Sequence, residues 1–252
     1  NRKFIMHKQQ KLISSLLKIT FTTGMIILFG LIVKGYSSQL GLFDNIKVEI
    51  NGNQFVHTTR IQEEITPFLA QSLLSLNLEE IQDGVSSIDF VEAAQVSRIL
   101  PNTLMIQIME REPVVMITIE NNYLFMDEKG TLLPADGHSI SFFPVPIITI
   151  SEGMEYTDKL PGKVSELFQF ILNEYPMFYD NLSEVIIENE NWIFFCDSKT
   201  KIFTTSDQLF IQLNVLKYFE KTIYPNRELD DYAYIDMRVA EQVVVKEKYR
   251  KG

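Results

Sequence analysis

The sequence predicts an α+β protein carried on a single N-terminal transmembrane helix. Beyond the helix it predicts a small β-α-α-β-β layer and then a mainly antiparallel β domain with two packed helices. Three observations predict this. Leu12 to Val33 is apolar apart from Lys18 and small hydroxyls. From Phe43 onward the chain breaks into short alternating runs separated by turn residues, the pattern of half-buried strands. Residues 164–172 and 209–219 switch to helical spacing.

As a helix, 12–33 extends about 33 Å, enough for a hydrocarbon core of about 30 Å. Lys18 and Lys34 can run their stems along it and place their ammonium groups among headgroups. Arg2, Lys3, Lys8 and Lys11 precede it, and the first acid of the chain is Asp44. The positive-inside rule therefore predicts a cytoplasmic basic tail at 1–11, a span at 12–33 in the cytoplasmic membrane, and an extracytoplasmic or periplasmic bulk. A cleaved signal peptide is the alternative, with Gly35-Tyr36-Ser37 as its small-x-small site.

Hydrophobic residues make up 46% of the chain, with 18 Phe and 10 Tyr, which supplies a packed core rather than disorder. The net charge is −10, and six of the 23 basic residues lie before Phe43, so the exported part is more acidic still. That excludes nucleic acid as a partner, because phosphate binding needs a basic face. Cys196 is the single cysteine and has no internal partner; within Trp192-Ile193-Phe194-Phe195-Cys196 it reads as a small core hydrophobe.

Ile46 to Ile50 alternates apolar and charged, and Asn51-Gly52-Asn53 ends that strand. Thr59 with Gln62 suggests a capped helix ended by Pro67, and Asn77 with Glu80 a second. Strands Val91–Ile99 and Thr103–Met109 follow, joined at Leu100-Pro101-Asn102. The second places Leu104, Ile106 and Ile108 on one face. After Pro113, Val114–Glu120 and Tyr123–Met126 form a hairpin around Asn121-Asn122, and Thr131–Leu133 adds a short strand. Residues 134–146, with three prolines and no period, read as a loop. Val164, Leu167, Phe168, Ile171 and Leu172 mark a helix closed by Pro176. Val185–Glu188, Trp192–Cys196 and Lys201–Thr204 make a meander, and Ser206 caps a helix carrying Leu209, Leu213, Leu216 and Phe219. Ala233–Arg238 and Val243–Lys246 are the last strands.

Catalysis needs a nucleophile, a base and an orienting group. His7, His57 and His138 have no partner at ligand spacing, and no zinc, P-loop, dinucleotide or nucleophile-elbow motif occurs. Glu63-Glu64, Glu79-Glu80 and Asp230-Asp231 point apart on a helix and suit a solvated face. Asp127-x-x-Gly130 reads as a turn. The prediction is a non-enzyme with no catalytic, metal or cofactor site and no small-molecule substrate. Glu110-Arg111-Glu112-Pro113 reads as a stiff domain join with charges paired across strands. Arg238 reads as facing water or pairing with Asp236 or Glu241. The last strand of a sheet usually lies at its edge, with unpaired N–H and C=O groups that accept another extended segment. Arg238, Val239, Val243, Val244, Val245 and Lys246 are therefore the candidate partner-binding residues. Proline at Val244 should remove a ladder donor with little effect on the core.

Ala94-x-Val96-x-Arg98-x-x-Pro101-x-Thr103-Leu104-x-Ile106-x-Ile108-x-Glu110-Arg111-x-Pro113 resembles the signature of the FtsQ/DivIB family of bacterial division proteins. Val48-x-x-x-Gly52-Asn53, Asp127-x-x-Gly130, Pro144 to Ile150 and Tyr234-Ile235-Asp236-Met237-Arg238 resemble further parts of it. The resemblance implies a POTRA domain at 44–112, an FtsQ-type β domain at 113–246 and a charged C-terminal tail at 247–252. It also implies a bitopic scaffold at the division septum that recruits FtsB and FtsL at the C-terminal sheet edge. The POTRA domain and tail would meet other division proteins such as FtsK. Val239 stands where the family commonly has an aromatic residue, and Ala240-Glu241-Gln242 replaces its glycine-containing turn. Two other readings remain: a POTRA-bearing component of outer-membrane assembly or secretion, which calls for a barrel or further repeats, and a signal-anchored cell-wall enzyme, which calls for turnover of peptidoglycan.

Overall fold

In lipid an apolar run can satisfy its backbone groups only by coiling. Residues Arg2–Gln39 form one helix, α1, in the computed structural model, which describes residues 2–39, 45–119, 122–151 and 160–248. The helix is longer than the expected span at both ends. Its window Leu16–Val33 is long and apolar enough to cross a membrane. The hydroxyls of Thr20, Thr22 and Thr23 donate to the carbonyls of Leu16, Lys18 and Ile19 at 2.8–3.1 Å, so these polar groups are satisfied within the helix. The side chains of the basic tail, His7 and Lys34 lie outside the described residues.

The chain divides into two compact units, Asn1–Glu110 and Arg111–Gly252. The first carries β1 (Lys47–Asn51), α2 (Thr58–Ile65), α3 (Leu78–Ser86), β2 (Val91–Ile99) and β3 (Thr103–Glu110), in the predicted order. The sheet order is β1-β3-β2, with β1 parallel to β3 and β2 antiparallel to it. Leu104, Ile106 and Ile108 are buried, together with Ile61, Ile65, Ile81 and Val85 from the two helices. Met109 on the opposite face is exposed, so the period-two reading of β3 holds.

Two details differ from expectation. The α2 helix starts two residues early, after His57 rather than Thr59, and has no side-chain cap. Thr59 falls inside its first turn, and the neighbouring Thr58 hydroxyl accepts from Asn53 Nδ2 at 3.1 Å. Asn77 caps α3 as predicted, accepting from the Glu80 N–H. The residues of the Gly52-Asn53 and Glu110 motifs meet at one corner. Gly52 has φ +91°, and an added Cβ would run into the Ile108 carbonyl. The Glu110 carboxylate accepts the backbone N–H groups of Gln54, Phe55 and Val56 at 2.8–3.2 Å. This carboxylate locks the chain after β1 to the end of β3. Glu110→Ala is expected to lower the stability of the first unit by about 2 kcal/mol, since those charge-assisted bonds lose their acceptor; urea unfolding monitored by circular dichroism checks it.

In the second unit, β4 (Pro113–Ile119), β5 (Asn122–Asp127) and β6 (Leu132–Pro134) are followed by α4 (Gly137–Phe142), β7 (Ile147–Ile150), α5 (Leu160–Glu174) and α6 (Pro176–Asp180). Then come β8 (Leu182–Glu188), β9 (Asn191–Cys196), β10 (Lys201–Thr205), α7 (Leu209–Ile223), β11 (Tyr232–Asp236) and β12 (Val244–Glu247). They form a nine-stranded sheet of order β12-β11-β10-β9-β8-β7-β4-β5-β6. Five of its pairings are antiparallel, and β4·β7, β7·β8 and β10·β11 are parallel. One face is covered by α5 and α7, where Val164, Leu167, Phe168, Leu213 and Leu216 meet Val185, Trp192, Phe194 and Ile202.

The expected loop 134–146 is partly helical. Asp136 accepts from the N–H groups of His138 and Ser139, and Ser139 Oγ accepts from the Asp136 N–H, a capping box that starts α4 among prolines. Phe143, just beyond α4, packs edge-on to Phe125, which lies on the face of β5 away from the long helices. The adjacent β7, within the Pro144 to Ile150 stretch of the family pattern, is a strand that the sequence reading does not include. Pro176 ends α5 and also opens α6. Ser206 does not cap α7, which begins after Gln208. Gln212 instead clamps the preceding strand, accepting from Thr205 N–H and donating to Thr205 Oγ1. Asn121 of the predicted hairpin turn lies outside the described residues; Ile119 pairs with Asn122 beside it.

Asp127-x-x-Gly130 is a turn. Asp127 Oδ1 accepts from the N–H groups of Lys129 and Thr131, and Oδ2 pairs with Arg111 Nη1 at 2.8 Å. Glu110 and Arg111 thus both serve the fold. Cys196 is buried, and burial foremost pushes its thiol up to about 12. Iodoacetamide at pH 8 is therefore expected to leave the native thiol unmodified and to alkylate it on unfolding, read by mass spectrometry.

Candidate functional site: the C-terminal sheet edge

The sheet ends on β12, whose neighbour on one side is β11. Its register is Asp236↔Val244, Ile235↔Val245, Tyr234↔Lys246 and Tyr232↔Glu247, with a bulge between Tyr232 and Tyr234. The Lys248 N–H donates to the Asp231 carbonyl at 2.8 Å, so it faces the sheet. Alternation along a strand then turns the amides of Lys246 and Val244 toward β11 and those of Val243, Val245 and Glu247 toward the free edge. Proline at Val244 would consequently remove a ladder donor, the one that pairs β12 with β11, whereas Val245 is the position whose donor faces outward.

All four residues of β12 are exposed. The strand is nonetheless fixed at its far end. Glu247 pairs with Arg227 at 2.7 Å, and Lys248 Nζ donates to the Ser198 carbonyl and Thr200 Oγ1 at 2.7 and 3.2 Å. At the near end Val243 packs on the core. A fixed strand with an open edge costs an incoming segment little ordering on this side.

Arg238 precedes the turn into β12. Its Nε and Nη2 hold Asp236 at 2.9 and 2.7 Å, and its guanidinium lies 4.8 Å over the Phe203 ring. The Arg238 hydrogen bond foremost holds the Asp236 carboxyl below the usual carboxylate range, and the same bond raises the guanidinium. This is the Asp236 pairing anticipated from sequence. Val239 is exposed in the turn that follows.

Cross-strand register brings further residues to this edge. On the face away from α5 and α7, one row runs Ile186, Ile193, Phe203, Asp236, Val244. The next runs Glu184, Phe195, Lys201, Tyr234, Lys246. Ile193, Phe195, Phe203 and Tyr234 are half-buried, Lys201 lies 5.2 Å over Phe195, and Phe203 meets Tyr234 edge-on. The result is a partly wet aromatic and cationic face continuous with the free edge. Sequence reasoning missed it because Trp192-Ile193-Phe194-Phe195 looks uniformly apolar. The signal available was Lys201 and Thr205 flanking Phe203 on the same face of β10.

Among the described residues no group of three or more His, Cys, Asp or Glu is placed to hold a metal.

A family model described as the FtsQ-type POTRA domain matches residues 46–111. The Cell division protein FtsQ of Rickettsia bellii (strain RML369-C) is 30% identical over 151 residues, covering 60% of this chain and 52% of that protein. The Cell division protein DivIB of Clostridium acetobutylicum is 29% identical over 90 residues, 35% of this chain and 36% of that one. The solved major extracytoplasmic domain of DivIB from Geobacillus stearothermophilus matches with a TM-score of 0.32 at 12% identity, over 47% of this chain and 98% of that one. The chain spans about half the length of the first curated relatives it matches.

Proposed function

We propose, for a chain that belongs to the FtsQ/DivIB family of bacterial cell-division proteins, that it is a non-enzymatic bitopic scaffold capturing an FtsB-type partner by strand addition at β12. The observation that carries the reading is the fixed, exposed β12 with the outward amides of Val243, Val245 and Glu247. Backbone bonds along that edge would supply affinity, and the adjoining rows would supply selection. Phe203, Tyr234 and Val244 suit apolar partner side chains. Lys201, Lys246 and the donors that Arg238 does not spend on Asp236 suit partner carboxylates. FtsL would be recruited with FtsB, and the POTRA domain and basic tail would meet further division proteins such as FtsK. The span would leave the N-terminus in the cytoplasm and the two units outside, at the septum.

The test is co-precipitation of the full chain with FtsB and FtsL of its own host, together with localisation of a fluorescent fusion. Capture of both partners and a septal band are expected. Even distribution around the membrane with neither partner captured would reject the reading.

A further inference from the structure

We propose that one pole of the first unit, formed by Leu74, Ile99 and Leu100, rests on the lipid interface from which α1 emerges. The inference goes beyond partner capture at β12 and rests on the reading of Leu16–Val33 as a membrane span.

The pole is built from two loops held side by side. Arg98, near the end of β2, donates from Nε to the Leu73 carbonyl at 2.8 Å and from Nη2 to the Leu76 carbonyl. The 73–76 loop is thereby fixed against the β2–β3 turn, where Ile99 and Leu100 follow. Leu73 and Leu76 point into the core, while Leu74 is 56% exposed, Leu100 64% and Ile99 43%. Three large aliphatic side chains are therefore exposed at this one end of the unit, Leu74 on the helix side of the sheet, Ile99 on its other face and Leu100 in the turn between β2 and β3, although the same loops bury their neighbours.

The chain enters this unit at the same tip. Lys47 N–H donates to the Asn102 carbonyl, and Asn102 Nδ2 donates to the Asn45 carbonyl, both at the β2–β3 turn. From Gln39, where α1 ends, six peptide links lead to Asn45, a reach of at most about 22 Å. From Val33 to Gln39 the helix rises about 9 Å, roughly the depth of one headgroup layer. Tyr36, exposed on that stretch, is the amphipathic ring that favours this depth. The tether thus attaches at the apolar tip and keeps it within reach of the bilayer.

The contact is apolar in character. Glu79 and Glu80 open α3 beside the tip and offset Lys47, which gives no attraction to anionic headgroups. A zwitterionic surface is the occupant that fits, with leucine and isoleucine side chains entering the headgroup–acyl boundary.

The test uses the full chain in phosphatidylcholine vesicles, labelled with an environment-sensitive fluorophore at Leu74→Cys, Leu100→Cys, Gln54→Cys or Leu28→Cys. Cys196 is buried and leaves the introduced thiol as the reactive one. Shallow nitroxide lipids are expected to quench the Leu74 and Leu100 labels at least twofold more than the Gln54 label, and deep nitroxides to quench the Leu28 label. Equal, weak quenching at Leu100 and Gln54 with a quenched Leu28 label would overturn the contact while leaving the span intact. An unquenched Leu28 label would overturn both. Equal strong quenching at Leu100 and Gln54 would mean unselective adsorption and would overturn the proposal as well.

Discussion

Phe194→Ala is expected to destabilise the second unit by about 3–5 kcal/mol, a large part of the roughly 5–15 kcal/mol that holds a domain folded. Phe194 is fully buried in β9, with β8 and β10 on either side. Its ring meets Phe178 at a centroid distance of 5.7 Å, and Phe178 in turn stacks on Tyr175 at 5.1 Å. Tyr175 donates to Glu220 on α7. Truncation would open a cavity where the sheet, α6 and the α7 contact converge, and strand neighbours hydrogen-bonded on both sides cannot collapse into it. Phe195→Ala is the control, because that ring lies half-buried on the opposite face and should cost about 1 kcal/mol or less. Trp192, the single tryptophan, lies in the same strand and reports the transition by fluorescence in urea.

Val245→Pro is expected to weaken capture of the FtsB-type segment at least tenfold while moving the melting temperature by no more than a few degrees. Proline removes the N–H and adds a ring on the outward side. One lost backbone bond plus that steric conflict corresponds to at least about 1.4 kcal/mol. The Ile235↔Val245 pairing with β11 does not use this donor, because the inward amides belong to Val244 and Lys246. Val244→Pro should lose partner binding as well, but with a lower melting temperature, since it takes a bond from the β11 ladder. The pair of variants separates an edge that binds from a strand that merely folds; titration calorimetry alongside thermal melts reads both.

The parts legible from the sequence were those written in a single-chain period. The apolar run of α1, the alternation of Leu104, Ile106 and Ile108, the Asn77 cap and the spacing of Val164 to Leu172 each depend on residues close in sequence. The β7 strand was not visible as one. Its run Ile147–Ile150 follows two prolines and pairs in parallel on both sides, so it lacks the alternation of a half-buried strand. The short α4 was hidden because its Asp136–Ser139 box lies among prolines that in fact flank it. At the C-terminal edge the candidate residues were legible as a strand near the chain end. Which amides point outward depends on the Lys248–Asp231 bond, and the Phe203–Tyr234 face depends on register among five strands. Neither is encoded in local spacing. Glu110 and Arg111 show the converse: a motif legible as charge pairing proved to be a backbone clamp in one unit and a turn-fixing pair in the other.

Amide hydrogen exchange on the full chain, with and without the FtsB-type segment, tests the edge most directly. Strand addition predicts that the amides of Val243, Val245 and Glu247 slow by tenfold or more on binding, while those of Val244 and Lys246, already bonded to β11, change little. Binding that leaves all three outward amides exchanging at their free rates, or that protects a different strand, would contradict it.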